Sequence, residues 1–114
     1  MQYALLIYGS ERQRDGMSEE ESQAVLGEYF QLLEAPGVLG AQALQPATST
    51  TTVRVENGET LLTDGPYIDA KEHLGGFYLV EADDLDTATA LAARIPAARL
   101  GGAVEVRPVV EDHR

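Results

Sequence analysis

Residues 2–8 are apolar on both alternating faces: Tyr3, Leu5 and Ile7 point one way, and Ala4, Leu6 and Tyr8 the other. A run of this kind, closed by Gly9-Ser10, predicts a strand covered on both sides. Ser18 with Glu21 three residues on predicts a capping box, and Glu19, Glu20 and Glu21 suit the positive end of a helix. Leu26, Tyr29, Phe30 and Leu33 fall at i, i+3, i+4 and i+7, which predicts one apolar helical face, and Pro36-Gly37 stops the helix. Residues 38–45 read as a weaker strand in which Gly40 marks a bulge or an edge.

A polar Ser/Thr stretch over 46–52 leads to two short arms, Val53–Glu56 and Glu59–Leu62, on either side of Asn57-Gly58. That dipeptide predicts a tight hairpin, an excursion from the main sheet. Phe77–Ala82 is the second run apolar on both faces, and Asp83-Asp84 can cap the helix after it. There Leu85, Ala88, Leu91, Ala92 and Ile95 make the apolar stripe, and Pro96 ends it. The last strand, Ala103–Val110, alternates, with Val104 and Val106 on one face and Glu105 and Arg107 on the other.

The order is therefore β-α-β-hairpin-β-α-β. A split βαβ arrangement puts the first and third main strands in the centre of the sheet, and these are the two that are apolar on both faces. The expected fold is α+β: a ferredoxin-like βαββαβ unit with an inserted β-hairpin, its four-stranded antiparallel sheet carrying two helices on one face. The other face would then expose apolar side chains. A second copy related by a two-fold axis is the simplest cover, so a homodimer is expected.

Composition narrows the picture. The 114 residues predict a single domain over 1–114. The absence of cysteine removes disulfides, zinc-thiolate sites and a cysteine nucleophile, and fits a cytoplasmic address. Eight Lys plus Arg against 19 Asp plus Glu give a net charge of −11. Nucleic-acid binding needs a basic footprint, and Arg12 with Arg14 is the nearest approach, flanked by Glu11 and Asp15. Binding to nucleic acid or to anionic membrane is not expected. The N-terminus has no basic leader, and its apolar run is too short for a signal or a span.

Candidate chemistry concentrates in Asp64–Gly76, read as a loop before a central strand. Asp64 can serve as an acid/base or simply fix the Asp64-Gly65-Pro66-Tyr67 turn. Lys71 can stabilise an anion or pair with Glu72 at the surface. His73 titrates near neutrality and can shuttle a proton or fill a structural role. Glu105 and Arg107 share a strand face and would rim a cleft on the open side of the sheet, with Tyr8, Tyr67 and Tyr78 as aromatic walls. His73 and His113 are too few for a dedicated metal site, Gly75-Gly76 precedes a strand and makes no phosphate loop, and no serine lies in a nucleophile motif. No cofactor is expected.

Asp64-Gly65-Pro66-Tyr67, Lys71-Glu72, Leu74-Gly75-Gly76-Phe77-Tyr78, Asp83-Asp84-Leu85-Asp86, Arg94-Ile95-Pro96 and Val104-Glu105-Val106-Arg107-Pro108, in that order, resemble the DGPF subgroup of the YCII-related proteins. The resemblance implies a ferredoxin-like domain of the dimeric α+β barrel superfamily. Some members of that family are regarded as small enzymes using a His–Asp pair, and some are encoded beside alternative sigma factors. Here Tyr67 stands in place of the motif's Phe, and no histidine precedes His73, so the His–Asp chemistry does not carry over. Two functions follow as expectations. One is an enzyme acting on a small organic molecule at the open sheet face, with Asp64, Lys71 and His73 as catalytic candidates. The other is a non-catalytic binding or regulatory module, for which the resemblance to members encoded beside sigma factors implies a link to sigma-factor regulation.

Overall fold

The computed structural model describes residues 1–10 and 15–111. Arg12, Arg14 and His113, named above as a basic cluster and a spare histidine, lie outside the described residues. The chain runs β1 (Gln2–Gly9), α1 (Glu19–Leu32), β2 (Val38–Ala43), β3 (Thr51–Glu56), β4 (Glu59–Asp64), β5 (His73–Glu81), α2 (Leu85–Ala93) and β6 (Ala103–Pro108). Single 3-10 turns occupy Ala47–Ser49 and Pro96–Ala98.

β2, β5, β1 and β6 form a four-stranded sheet in that order, and all three pairings are antiparallel. The doubly apolar strands β1 and β5 are the central pair, as their side-chain pattern requires. Their register runs from Gln2 opposite Glu81 to Gly9 opposite His73, with an irregularity between Ile7 and Tyr8. A second irregularity, between Val38 and Gly40, bends the edge strand β2 at its glycine.

One face of this sheet makes the core. Tyr3 and Leu5 of β1 and Tyr78 and Val80 of β5 are buried with Leu32 of α1 and with Ala88, Leu91, Ala92 and Ile95 of the α2 region. Both helices therefore lie on the same side. The opposite face carries Ala4, Leu6, Phe77 and Leu79, each only partly buried, with Glu105 opposite Leu6 and Arg107 opposite Ala4.

Each helix begins at a side-chain cap. Ser18 Oγ accepts from the Glu21 amide at 3.1 Å and the Glu21 carboxylate accepts from the Ser18 amide, completing the expected box on α1. Asp84 Oδ1 accepts from the Thr87 amide at 2.8 Å at the start of α2. The α2 stripe is buried as its spacing dictates, apart from Leu85 at its first turn. The α1 stripe needs correction. The residue that enters the core is Leu32, with Tyr29 packed beside it, while Leu26, Phe30 and Leu33 are exposed. The helix is apolar around a wide arc, and the heptad-like spacing singled out the wrong edge of that arc.

β3 and β4 form a separate two-stranded sheet, Thr51 opposite Asp64 through Glu56 opposite Glu59. Asn57 and Gly58 turn it with φ of 50° and 78°, the two positive values that a type I′ hairpin turn demands. Apart from Thr52 every residue of the two arms is exposed. The radius of gyration of 16.0 Å exceeds the roughly 13 Å of a compact domain of this length, as a projecting arm requires.

Candidate binding site

The sheet floor beneath α1 is built of small residues: Ala41 and Ala43 on β2, Gly75 and Gly76 on β5. The Gly76 position has no room for a side chain, since a Cβ there would stand 2.7 Å from the Gln42 carbonyl oxygen. Small residues below and a long helix above leave a gap. A cavity of about 560 Å³ fills it, within the usual range for small-molecule sites. Val25, Leu26, Tyr29, Phe30 and Leu33 of α1 form its roof, and Met17, Ala97 and Leu100 close its sides.

Two contacts fix the roof at its C-terminal half. The Tyr78 hydroxyl donates to the Tyr29 carbonyl oxygen at 2.7 Å, and the two rings stack with centroids 6.5 Å apart and planes 13° from parallel. Arg99 donates to the Glu28 carboxylate, tying α1 to the turn at Pro96–Ala98. The Glu28 carboxyl is held below its usual range by that bond, and the Arg99 guanidinium is raised by it. Burial, with a smaller contribution from Tyr29, pushes the Tyr78 hydroxyl up to about 12, so it is neutral and a donor at any ordinary pH.

The polar groups at the cavity are neutral ones: Ser10, Ser22, tyrosine hydroxyls and the β2 backbone at Gln42, whose side chain alternates to the open face with that of Phe77 opposite it. Among the described residues that line it there is no Asp, Glu, Lys, Arg or His.

The residues singled out from the sequence are not gathered at this cavity. Asp64 ends β4 on the exposed hairpin, opposite Thr51, and the next residue, Gly65, is tied to the β3 side by its N–H to the Thr50 carbonyl and by the Thr52 hydroxyl to the Gly65 carbonyl, both at 2.7 Å. Tyr67 is 69% exposed, with the Arg54 guanidinium 5.6 Å from its ring centroid. Lys71 and Glu72 are exposed, and His73 is the first residue of β5, partly buried opposite Gly9. The segment read as one loop over 64–76 is thus a strand end, a loop over 65–72 and a strand start. None of Asp64, Lys71 and His73 lines the cavity.

Tyr8, Glu105 and Arg107 do come together, on the open face. Burial and then the Glu105 carboxylate raise the Tyr8 hydroxyl above its ordinary value, and Arg107 opposes them. Tyr78 departs from its expected place as a wall of an open-face cleft. It lies opposite Leu5, one position out of phase with Phe77, so its ring is 2% exposed on the helix side and lines the cavity there.

The roof residues Val25, Leu26 and Phe30 were not anticipated as site residues. Their signal was present: Val25, Tyr29 and Leu32 repeat the i, i+4, i+7 spacing of Leu26, Phe30 and Leu33 one position earlier. Two adjacent apolar stripes on one helix exceed what a single core contact can cover.

Among the described residues no three His, Cys, Asp or Glu side chains are grouped to hold a metal, and no helix is long and apolar enough to cross a membrane. Compared with known proteins, the chain is 38% identical over 115 aligned positions to an uncharacterized protein of Rhizobium meliloti, covering 96% of this chain and 92% of that one. The model of the YCII-related domain matches residues 1–112. The chain belongs to the YCII-related domain family.

Proposed function

We propose that this protein binds a small organic molecule in the cavity beneath α1 and performs no acid–base chemistry on it there. The carrying observation is the separation of the two features an enzyme would combine. The half-open cavity is lined, among the described residues, by apolar and neutral polar side chains, whereas Asp64, Lys71 and His73 lie elsewhere on exposed or strand-end positions. General acid–base catalysis requires a titratable group within hydrogen-bond reach of the reacting atoms, and the ones among the described lining residues are tyrosines, of which Tyr78 is held neutral with its hydroxyl committed to the Tyr29 carbonyl. Of the two functions expected from the sequence, the binding or regulatory module is the one this geometry supports, and its DGPF-type signature, Asp64 to Tyr67, then serves as hairpin-to-loop architecture.

Nile red, a neutral apolar dye whose emission rises in apolar surroundings, tests the cavity directly. It is expected to bind the wild type with one site per chain. Ala43→Trp fills the cavity from an exposed edge-strand position, and Val25→Trp fills it from the roof. Both are expected to abolish dye binding while far-ultraviolet dichroism stays unchanged. Undiminished binding in two folded variants sinks the reading.

A second reading concerns assembly. We propose that the ferredoxin-like unit pairs with another copy through the open sheet face, as in a dimeric α+β barrel. The molecule is a slab 18 Å thick, a sheet layer and a helix layer, and among the described residues both helices lie on the other side of the sheet, leaving Leu6, Phe77 and Leu79 only partly buried. Covering such side chains completely stabilises by ~1.5–3 kcal/mol apiece. Sedimentation equilibrium at micromolar concentration is expected to give twice the chain mass, and a clean 12.3 kDa species overturns it.

A further inference from the structure

Resting on the cavity reading above, we infer that the occupant of the α1 cavity is an uncharged molecule carrying an aromatic ring, and that carboxylates, phosphates and amines are excluded. Three observations combine. The first is the lining. A charged ligand seated against it would give up part of its water shell with no opposite charge among the described lining residues to replace it, a cost that a neutral ligand does not carry. The second is the whole-chain field. A net charge of −11 repels anions before they reach the mouth, so desolvation and long-range electrostatics act together against acids. For amines the two oppose each other, and against an apolar lining that offers no hydrogen-bonded counter-charge among the described residues, desolvation is the larger.

The third is what the roof and wall present. Tyr29 and Tyr78 are already stacked, and the next roof residue, Phe30, is 61% exposed although it lines the cavity. An aromatic side chain that contributes so little to the core leaves a ring face for a planar guest, in the offset geometry aromatic pairs prefer. Ser22, on α1, supplies a neutral donor and acceptor for one hydroxyl or carbonyl group on that guest. Tyr8 and Phe77 also border the space, but strand alternation turns their side chains towards the open face, so the ring argument stands on the other three.

The test is displacement of bound Nile red near neutral pH by four probes: 2-naphthol, 2-naphthoate, 2-naphthylmethylammonium and decanol. 2-Naphthol is expected to compete at least about ten-fold more strongly than either charged naphthalene. It is also expected to outcompete decanol, which is neutral without a ring. Phe30→Arg, at a largely solvent-facing position that tolerates charge, adds a cation to the roof and removes a ring. It is expected to weaken 2-naphthol and to raise 2-naphthoate above it. If the dye binds but the four probes compete equally, the ligand class is wrong and the cavity reading survives. Naphthoate competing best against the wild type overturns the class in the same way. If neither dye nor probe binds, the cavity reading itself has failed.

Discussion

α2 spans nine residues and buries Ala88, Leu91 and Ala92; α1 spans fourteen and buries Leu32 alone. The shorter helix is the better packed. Its small Ala88 and Ala92 allow close approach to the sheet, and Ile95 just beyond it is fully buried. α1 carries large apolar residues over a wide arc but faces a floor of alanine and glycine, and it meets the core through Leu32 and Tyr29 near one end. The same layer thus holds one helix that makes the fold and one that makes a wall. Apolar side chains near the first exclude water from the core, while those near the second line the cavity.

The largest expected effect separates the two helices by stability. Leu91→Ala removes a buried side chain from the packed region and should cost ~2–5 kcal/mol. Leu26→Ala, at a residue 54% exposed on α1, should stay within ~0.5 kcal/mol. Urea denaturation of both variants measures the difference. Equal losses would mean that α1 is as integral to the core as α2.

Tyr78 joins the two regions, since its ring is in the core and its hydroxyl holds the α1 backbone. Its folded value of about 12 lies above the ordinary tyrosine value of 10.0. The neutral form is thus favoured by folding. The associated stability is full below the unfolded value and is lost as pH rises from there through the folded one. The two-unit shift corresponds to roughly 2–3 kcal/mol. Tyr78→Phe should lose about 1 kcal/mol at neutral pH through the missing hydrogen bond. It should also show a shallower decline in urea midpoint between about pH 10 and 12 than the wild type. Parallel declines would remove Tyr78 from the account.

The contrast between the helices explains what the sequence could disclose. Strand order was legible because β1 and β5 are apolar on both faces, which only a central position rewards. Caps and the hairpin were legible because Ser18, Asp84 and Asn57-Gly58 act locally. The cavity was not, because it arises where residues distant in sequence meet: Ala41 and Ala43, Gly75 and Gly76, and a helix stripe that periodicity assigned to the core. The chemistry-rich run from Asp64 misled for a related reason. Titratable residues clustered in sequence are placed by the hairpin and loop away from the cavity, and burial, which the sequence does not carry, decides which groups can act.

The smallest expected effect lies at the helix caps, and it probes the comparison most finely. Asp84 caps α2, whose first buried residue, Ala88, follows within one turn. Fraying there exposes core, so Asp84→Ala should lower the global urea midpoint measurably. The bond from the Thr87 amide also holds the Asp84 carboxyl below its ordinary range. Its contribution is therefore present above that range and disappears as pH falls through the lowered value. Asp84→Asn should keep the cap and lose that pH dependence. Ser18 caps the end of α1 farthest from Leu32, where nothing buried lies within the first turn. Opening that turn is a local event. Ser18→Ala should cost less than ~0.5 kcal/mol globally, the low end of the range for lost caps. The local readout should be clearer. The Ser22 amide, bonded to the Ser18 carbonyl at 2.9 Å, should exchange hydrogen faster, and because Ser22 lines the cavity, Nile red should bind more weakly in the same variant. A Ser18→Ala variant that loses as much global stability as Asp84→Ala, with dye binding unchanged, would show that the N-terminal half of α1 is fastened to the core and is not the wall of a site.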